Sequence, residues 1–246
     1  MKGSLLLISS VIILSDMVNG CPQNCLCHHF SMTVDCRNRG LVEVPSHLPA
    51  ETQILLLSNN HIQKISQGAF TDTLVLKILD LSNNSISGLL PSTFKGLQHL
   101  QILNLTKNFI EYVDNNTFRS LPRLKELDLS FNNILSMPGT LGNNTGNITL
   151  LSMKHNKLQK VDRLLLESLP NLKVVLLKNN FWQCNCQLFG FKLWLESFLY
   201  RESAVFQGPL PIQASGKLRI LQKGPPKPLQ LLRSSMHVGI RFFFSL

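Results

Sequence analysis

The sequence predicts an α/β solenoid in which short parallel strands form a curved sheet on the concave face, while the convex side is irregular or made of short helices. Three observations predict this fold. An Asn recurs every 24 residues, apolar residues keep a fixed spacing around each Asn, and cysteines are clustered at both ends of the repeats. Periods of about 20 to 50 residues are typical of repeat architectures, whose units bury an apolar face only by stacking.

Six Asn residues define the repeats, which occupy residues 46–181. Apolar residues stand five and three positions before each Asn, as Leu79 and Leu81 do before Asn84. This alternation predicts a short strand whose apolar side chains point to one face. Each Asn lies where the chain turns away from the strand, and its amide can satisfy backbone groups of the turn and of the neighbouring repeat. The predicted Asn ladder consists of Asn60, Asn84, Asn108, Asn132, Asn156 and Asn180.

A phenylalanine recurs ten residues after each of the first three Asn residues and predicts a stack of rings along the convex side. These rings belong to Phe70, Phe94 and Phe118, and Gly142 and Leu166 take the same position later. The segment 139–147 is rich in Gly, Asn and Thr, which favour turns and loops. We therefore expect a looser convex loop between the fourth and fifth Asn.

The first twenty residues have the pattern of a secretory signal peptide, with Lys2 before an apolar run from Leu5 to Leu14. We expect cleavage after Gly20. A buried N-terminal helix or an uncleaved anchor is less favoured, because the run is shorter than the roughly 20 residues of a membrane span. Five Asn-x-Ser/Thr acceptors agree with passage through the secretory pathway. These N-glycosylation candidates are Asn83, Asn104, Asn115, Asn143 and Asn147.

The formal charge of +10 is unevenly distributed, because residues 201–246 hold seven Lys or Arg and one acid. We expect this segment to be a divergent basic tail that is poorly ordered. Its summed charge could hold acidic partners such as sulfated glycosaminoglycans, and the alternative is a solvated tail without a ligand. We expect no membrane span in the tail, since no stretch of it is apolar and long enough.

Four cysteines near the N-terminus carry the first family resemblance. The run C-P-Q-N-C-L-C, followed by Cys36, resembles the cysteine-rich cap that precedes extracellular leucine-rich repeats. The resemblance implies a cap over residues 21–45 with bridges Cys21 to Cys27 and Cys25 to Cys36, in an oxidising compartment. A zinc site is the alternative, which the signal peptide disfavours. Its ligands would come from Cys25, Cys27, His28, His29 and Cys36.

The segment N-N-F-W-Q-C-N-C resembles the start of the matching C-terminal cap, and implies a helix within residues 182–200 that covers the last repeat. Relatives bridge Cys184 and Cys186 to two cysteines further along, which this sequence lacks. We therefore expect a partial cap whose two cysteines are unpaired or form intermolecular bridges, beside exposed Trp194 and Phe198. The helix residues expected to cover the last repeat are Leu188, Phe191, Leu195 and Phe198.

Through Tyr200 the chain resembles leucine-rich repeat proteins that have Slit-like repeats and a single transmembrane segment. The resemblance implies an extracellular recognition protein in axon guidance, cell adhesion or synapse organisation, with Roundabout-type receptors and heparin as partners. Because it stops near residue 201, we expect an alternatively ended or frame-altered form. The alternatives to a recognition protein are a soluble decoy of a membrane protein and a non-productive isoform retained by quality control.

The residues on either side of the strand leucines point out of the concave face and are the expected contact surface for an extracellular protein or receptor ectodomain. Apolar rows with charged residues at the edge, here Lys107, Lys154 and Lys178, are common in protein interfaces. The alternative is that the isoleucines are covered by their strand neighbours. The candidate binding residues are Ile54, Leu56, Ile78, Asp80, Ile102, Asn104, Glu126, Asp128, Phe131, Leu150, His155, Val174 and Leu176.

A glycosidase is the enzymatic alternative, because Asp80 and Asp128 lie two strands apart, about 10 Å at about 4.8 Å per strand. No closed pocket and no nucleophile paired with a base are predicted. Solvated carboxylates on a binding face are therefore favoured. We expect no catalytic residue, no metal, no cofactor and no nucleic-acid partner.

Overall fold

The computed structural model describes residues 20–142, 144–183, 188–200 and 204–207. Within these residues nine strands form one sheet in chain order. The first two strands pair antiparallel, and each later neighbour pairs parallel, which confirms the predicted solenoid. The strands are β1 (Leu26–His28), β2 (Thr33–Asp35), β3 (Ile54–Leu56), β4 (Ile78–Asp80), β5 (Ile102–Asn104), β6 (Glu126–Asp128), β7 (Leu150–Ser152), β8 (Val174–Leu176) and β9 (Val205–Gln207).

The strands of the repeats bury their central residue and leave its two neighbours on the open face. In β4, Leu79 is fully buried, whereas Ile78 and Asp80 are half-buried. Leu81, two residues further on, is buried as well, as the alternation of side chains along a strand requires. The core is therefore a column of aliphatic side chains that runs through all six repeats.

The Asn ladder joins each repeat to the one before it. The Asn108 Oδ1 accepts a hydrogen bond from the backbone N–H of Ile86, in the preceding repeat, at 3.0 Å. Its Nδ2 donates to the carbonyl of Leu81, also in that repeat, at 3.0 Å, and to the carbonyl of Leu105 in its own repeat at 3.1 Å. The amide thus satisfies buried backbone groups on both sides of the repeat boundary, which would be costly to leave unpaired.

The first Asn of the ladder attaches the N-terminal cap to the repeats. The Oδ1 of Asn60 accepts from the backbone N–H groups of Arg39 and Leu41, both at 3.0 Å, and its Nδ2 donates to the Cys36 carbonyl at 2.9 Å. The bridges within the cap are those that the resemblance implies, and they leave no free thiolate for the zinc alternative. They join Cys21 to Cys27 and Cys25 to Cys36.

The convex side contains the predicted stack of phenylalanines. The ring centroids of Phe70 and Phe94 are 6.4 Å apart, and those of Phe94 and Phe118 are 5.9 Å apart. Gly142 interrupts the stack because its φ is +110° and a Cβ there would lie 3.0 Å from the Arg119 Cα. Leu141 is buried instead, so the core continues although the backbone is shifted.

Two helices complete the C-terminal part of the solenoid. Helix α1 (Arg163–Glu167) begins at Asp162, whose carboxylate accepts from the Leu164 backbone N–H, as preferred at a helix N-cap. Helix α2 (Leu188–Leu199) follows β8 in the chain, after residues 184–187, which lie outside the described residues together with the predicted unpaired Cys184 and Cys186. In the parts of the chain that the structure describes, no helix has the length and apolar character needed to cross a membrane.

Helix α2 corrects the expectation that Trp194 and Phe198 are exposed beside the cysteines, and it confirms Phe198 among the residues predicted to cover the last repeat. Trp194 is 6% and Phe198 0% exposed, and their rings stack with centroids 4.7 Å apart. Phe191 and Leu195 are also buried, as the sequence predicts for the covering face. The expectation was wrong because Phe191, Trp194, Leu195 and Phe198 follow the spacing i, i+3, i+4, i+7, which places all of them on one face of a helix.

Strand β9 lies beyond Tyr200, in the segment that the sequence predicts to be a divergent tail. It pairs parallel with β8, with Val174 opposite Val205 and Leu176 opposite Gln207. The last repeat strand is therefore paired on both sides, so its backbone does not form an open edge of the sheet.

We predict that Asn108→Asp lowers the free energy of unfolding by about 3 kcal/mol or more, because the carboxylate keeps the acceptor but leaves buried carbonyls without a donor. Chemical denaturation monitored by circular dichroism measures this change. Asn116→Asp is the control, since it makes the same substitution at an exposed residue. Equal effects of the two variants would contradict the role of the ladder.

We predict that Phe198→Ala destabilises the cap by about 3–5 kcal/mol, as expected for a fully buried phenylalanine. The neighbouring Leu199 is 36% exposed, so Leu199→Ala serves as the control and should have a much smaller effect. Hydrogen exchange of the α2 amides distinguishes the two variants. Unchanged protection in Phe198→Ala would show that the helix does not depend on this contact.

Candidate functional site

The first row of the open face is formed by the residue that begins each repeat strand. These residues face one another across the sheet in strict register, as Ile54, Ile78 and Ile102 do. They are half-buried, except for Glu126, which is exposed. The isoleucines therefore pack against their neighbours and still present part of their apolar surface to solvent. The row consists of Ile54, Ile78, Ile102, Glu126, Leu150 and Val174.

Three residues of the central row close the turns that follow their strands. A side-chain oxygen of Asp80 accepts from the Ser82 backbone N–H at 3.0 Å, and Asp128 accepts in the same way from Ser130 at 2.9 Å. Asn104, which lies between them in the sheet, accepts from Thr106 at 3.0 Å. The full row consists of Leu56, Asp80, Asn104, Asp128, Ser152 and Leu176.

Because Asp80 and Asp128 close turns, they have a structural role. The glycosidase alternative would require them to act as catalytic carboxylates. The same hydrogen bond is made by Asp80, Asn104 and Asp128, so it does not depend on a carboxylate. Ser152, the next residue of the row, is fully buried and its hydroxyl lies 2.6 Å from the Ser130 hydroxyl. The row is apolar at its two ends, Leu56 and Leu176, and polar between them.

One edge of the face is a column of residues that immediately precede the ladder Asn and adopt a left-handed backbone. Their φ values lie between 52° and 60°. Asn tolerates this conformation, whereas larger side chains pay a steric penalty of about 1–2 kcal/mol. Phe131 therefore occupies a position that local backbone preference does not favour, whereas His, like Asn, is enriched in this conformation. The column consists of Asn59, Asn83, Lys107, Phe131, His155 and Asn179.

Side chains within this column contact one another from repeat to repeat. The rings of Phe131 and His155 stack with centroids 4.1 Å apart. The Asn179 amide nitrogen lies 2.9 Å from the His155 Nε2, and the Asn83 amide donates to the Asn59 side chain at 2.7 Å. Phe131 nevertheless remains 45% exposed, so the stack forms an aromatic shelf at the edge of the face.

The electrostatic environment of this shelf is positive. Burial lowers the pKa of His155, and the nearby charges of Lys154 and Lys178 lower it further. His155 is therefore neutral at pH 7 and presents an uncharged ring beside two cations. Because its folded pKa is depressed, its contribution to stability is complete above its ordinary pKa of about 6.5 and is lost as the pH falls below that value.

Beside the column lies an open groove of about 470 Å³ formed by loops of the first four repeats. Exposed Phe109 and Phe131 line it together with Lys107. Asn83 and His61 lie at its other end. The groove joins the edge of the face to the loop side of the solenoid.

The N-glycosylation candidates lie on different surfaces. Asn104 is in the centre of the open face, whereas Asn83 is exposed at its edge. Asn115 and Asn147 are exposed outside the sheet, and the Asn147 amide donates to the Pro122 carbonyl at 2.7 Å. Asn143 lies outside the described residues.

A second cationic row, which was not predicted from the sequence, lies at the opposite edge of the face. Lys77, Lys125 and Lys173 stand directly before their strands and are exposed. The residue seven positions before each ladder Asn is lysine in every second repeat, and this pattern could have predicted the row. The open face is thus bordered by lysines on both sides.

Family models match the parts of the chain that form these repeats. A leucine rich repeat model matches residues 50–97 and 76–134, and a leucine rich repeat N-terminal domain model matches residues 20–49. The matched residues therefore have the sequence pattern of leucine-rich repeats preceded by their N-terminal cap. The chain is 43% identical over 224 residues to mouse leucine-rich repeat and transmembrane domain-containing protein 1, which covers 89% of this chain and 63% of that relative.

Shorter similarities extend to other repeat proteins. Bovine leucine-rich repeat-containing protein 3 is 47% identical over 79 residues, 31% of each chain. Rat reticulon-4 receptor-like 1 is 35% identical over 96 residues, 39% of this chain and 20% of the relative. A chain from the crystal structure of the TLR13-ssRNA13 complex superposes with a TM-score of 0.58 and 30% identity, over 64% of this chain and 23% of that one. The chain therefore spans less than two thirds of the length of these relatives.

We predict that Phe131→Ala raises the pKa of His155 toward its ordinary value, because it removes the ring that shields one face of the imidazole. Lys178→Met should produce a smaller rise, since burial is the larger cause of the depression. An NMR titration of the imidazole protons measures both shifts. Leu90→Ala removes an exposed apolar residue elsewhere and should leave the titration unchanged.

Proposed function

We propose that this chain is a non-enzymatic extracellular recognition protein that binds a protein partner through the open face of its repeat sheet. The observation that carries the proposal is the row of partly exposed apolar residues in strict register, from Ile54 to Val174. An apolar row that only Glu126 interrupts and that charged residues border has the composition of a protein interface. A sheet also holds such a row rigidly, which reduces the ordering cost of binding.

The N-terminal cap supports an extracellular location. Two disulfides within residues 21–36 are stable in an oxidising compartment and rare in the cytosol. The similarity to a receptor-like protein, reticulon-4 receptor-like 1, agrees with a role in recognition. The proposal therefore includes passage through the secretory pathway and a receptor ectodomain or other extracellular protein as the partner.

The turn-closing role of Asp80, Asn104 and Asp128 supports binding over catalysis. A catalytic carboxylate must change its protonation or bonding during a reaction, whereas these side chains serve as acceptors for backbone N–H groups. If Asn104 carries a glycan, the partner binds to one side of it.

The experiment is a screen of the full chain against a library of cell-surface ectodomains, with Roundabout-type receptors and heparin included. We predict that Ile78→Asp with Ile102→Asp weakens binding of the captured ectodomain more than tenfold. Each apolar side chain buried at an interface contributes about 1.5–3 kcal/mol, and about 1.4 kcal/mol is tenfold in affinity. Surface plasmon resonance measures the loss.

The control is Leu74→Asp with Leu164→Asp, which adds the same charges at exposed apolar residues on the convex side. This variant should bind like the unaltered chain. Thermal unfolding confirms that both variants are folded. Unchanged affinity in the folded Ile78 and Ile102 variant would remove this face as the binding surface.

Export distinguishes the decoy and retained forms. Glycosylated monomer in the culture medium supports a soluble decoy, whereas intracellular or disulfide-linked aggregate supports retention. The burial of Trp194 and Phe198 favours export, since it removes the exposed apolar surface on which the retention hypothesis relied.

A further inference from the structure

The chemistry of the open face changes at the fifth repeat. Two residues before the ladder Asn, the first four repeats have a hydroxyl side chain and the last two have lysine. The backbone makes the same hydrogen bond in both cases. The Ser82 carbonyl accepts from the Asn59 backbone N–H at 3.1 Å, and the Lys154 carbonyl accepts from the Phe131 backbone N–H at 2.8 Å. The fold therefore does not require lysine here. The position is occupied by Ser58, Ser82, Thr106, Ser130, Lys154 and Lys178.

These lysines border an apolar floor. Leu150 and Val174 of the first row and Leu176 of the central row are half-buried on the sheet. Between them, Ser152 is small and fully buried, so it adds no polar surface. We call the surface formed by Leu150, Val174, Leu176, Lys154 and Lys178 the basic pad.

The acidic residues of the open face lie outside the pad. Asp80, Glu126 and Asp128 belong to the second and fourth repeats, whereas the segments 149–156 and 173–180 contain no carboxylate. None of the ion pairs found within the described residues involves Lys154 or Lys178. The positive charge of the pad is therefore available to a ligand.

The aromatic shelf extends the pad on one side. The exposed Phe131 ring stacks on His155, and Phe131 takes a left-handed backbone conformation that its side chain does not favour. Unfavourable backbone conformations are often retained where a side chain has a function. An apolar residue of a ligand that lies across the pad could also contact this shelf.

We propose that the basic pad binds an extended acidic segment of a protein partner. An apolar side chain of the segment lies on Leu150, Val174 and Leu176, and its carboxylates pair with Lys154 and Lys178. The inference rests on the proposed function, because it assigns a chemistry to the partner of the open face. It also makes the two ends of the open face different, because the acidic segment binds only at the C-terminal repeats.

The geometry favours a peptide over a sulfated polysaccharide. Adjacent strands are about 4.8 Å apart, and alternate side chains of an extended peptide are about 6.6 Å apart, so two flexible lysines can reach two carboxylates. The floor of the pad is apolar, which matches an aliphatic side chain and has no counterpart on a sulfated sugar. Asp128, in the adjacent repeat, would repel a long polyanion that continued across the face.

The test uses a fluorescein-labelled peptide of twelve residues with the sequence Glu-Ser-Glu-Ser-Leu-Ser repeated twice, so that Glu and Leu point to one face of an extended chain. A peptide with Lys in place of Glu and a heparin fragment serve for comparison. Fluorescence anisotropy measures binding to the full chain. We predict that the Glu and Leu peptide binds in preference to the other two. Lys154→Glu with Lys178→Glu should weaken it at least about tenfold, because two attractions become repulsions.

Two further variants make the test specific. Lys154→Arg with Lys178→Arg keeps the charge and should stay within about twofold of the unaltered chain. Lys77→Glu with Lys125→Glu makes the same charge change at exposed lysines of the second and fourth repeats, and should lower affinity by less than about threefold. Added salt should weaken binding to the unaltered chain, as expected for exposed charges.

The inference is overturned if both Glu variants weaken the peptide equally, since net charge would then explain binding. It is also overturned if the peptide does not bind, or if the heparin fragment binds through Lys154 and Lys178 in its place. The ectodomain screen reports on the proposed function separately. A captured ectodomain that requires Ile78 and Ile102 but not the two lysines would refute the pad alone.

Discussion

The hydrogen bonds of the Asn ladder are the constraint on which the rest of the structure depends. Each amide joins backbone groups of two successive repeats, as Asn108 does with Ile86 and Leu105. These groups are buried, so the amide must stand at the same point of every repeat. This requirement determines the 24-residue period. It also keeps the strands in register and aligns the rows of the open face.

Because the ladder and the leucine column hold the repeats, the side chains of the open face are free to vary. The backbone contacts of Ser82 and Lys154 are equivalent although one side chain is a hydroxyl and the other a cation. Likewise, Asn104 closes the same turn as Asp80 and Asp128. Differences at these positions therefore leave these hydrogen bonds unchanged, and the most marked difference is the one between the fourth and fifth repeats.

Most of the fold could be predicted because its determinants are periodic in the chain. The apolar positions around Asn84 predict a buried Leu79 and an open Ile78, and the structure has both. The exposed residues of the candidate face were harder to predict than the fold, because their exposure depends on neighbours that are 24 residues away in the sequence. Lys107, Phe131 and His155 share a left-handed backbone but not a residue type, so this conformation could not be predicted from the sequence. Trp194 and Phe198 were expected to be exposed because the missing cysteine partners suggested an incomplete cap. Their helical spacing indicates a shared buried face.

By itself, the sequence determined the repeat, the ladder and the side of each strand that faces the core, since these depend on spacing within one unit. Only the tertiary structure decided which surfaces are covered and which side chains meet. It placed α2 so that Trp194 and Phe198 are buried, and it stacked His155 on Phe131. The physical reason is that spacing determines the direction of a side chain, whereas burial and contact depend on the element that packs next to it.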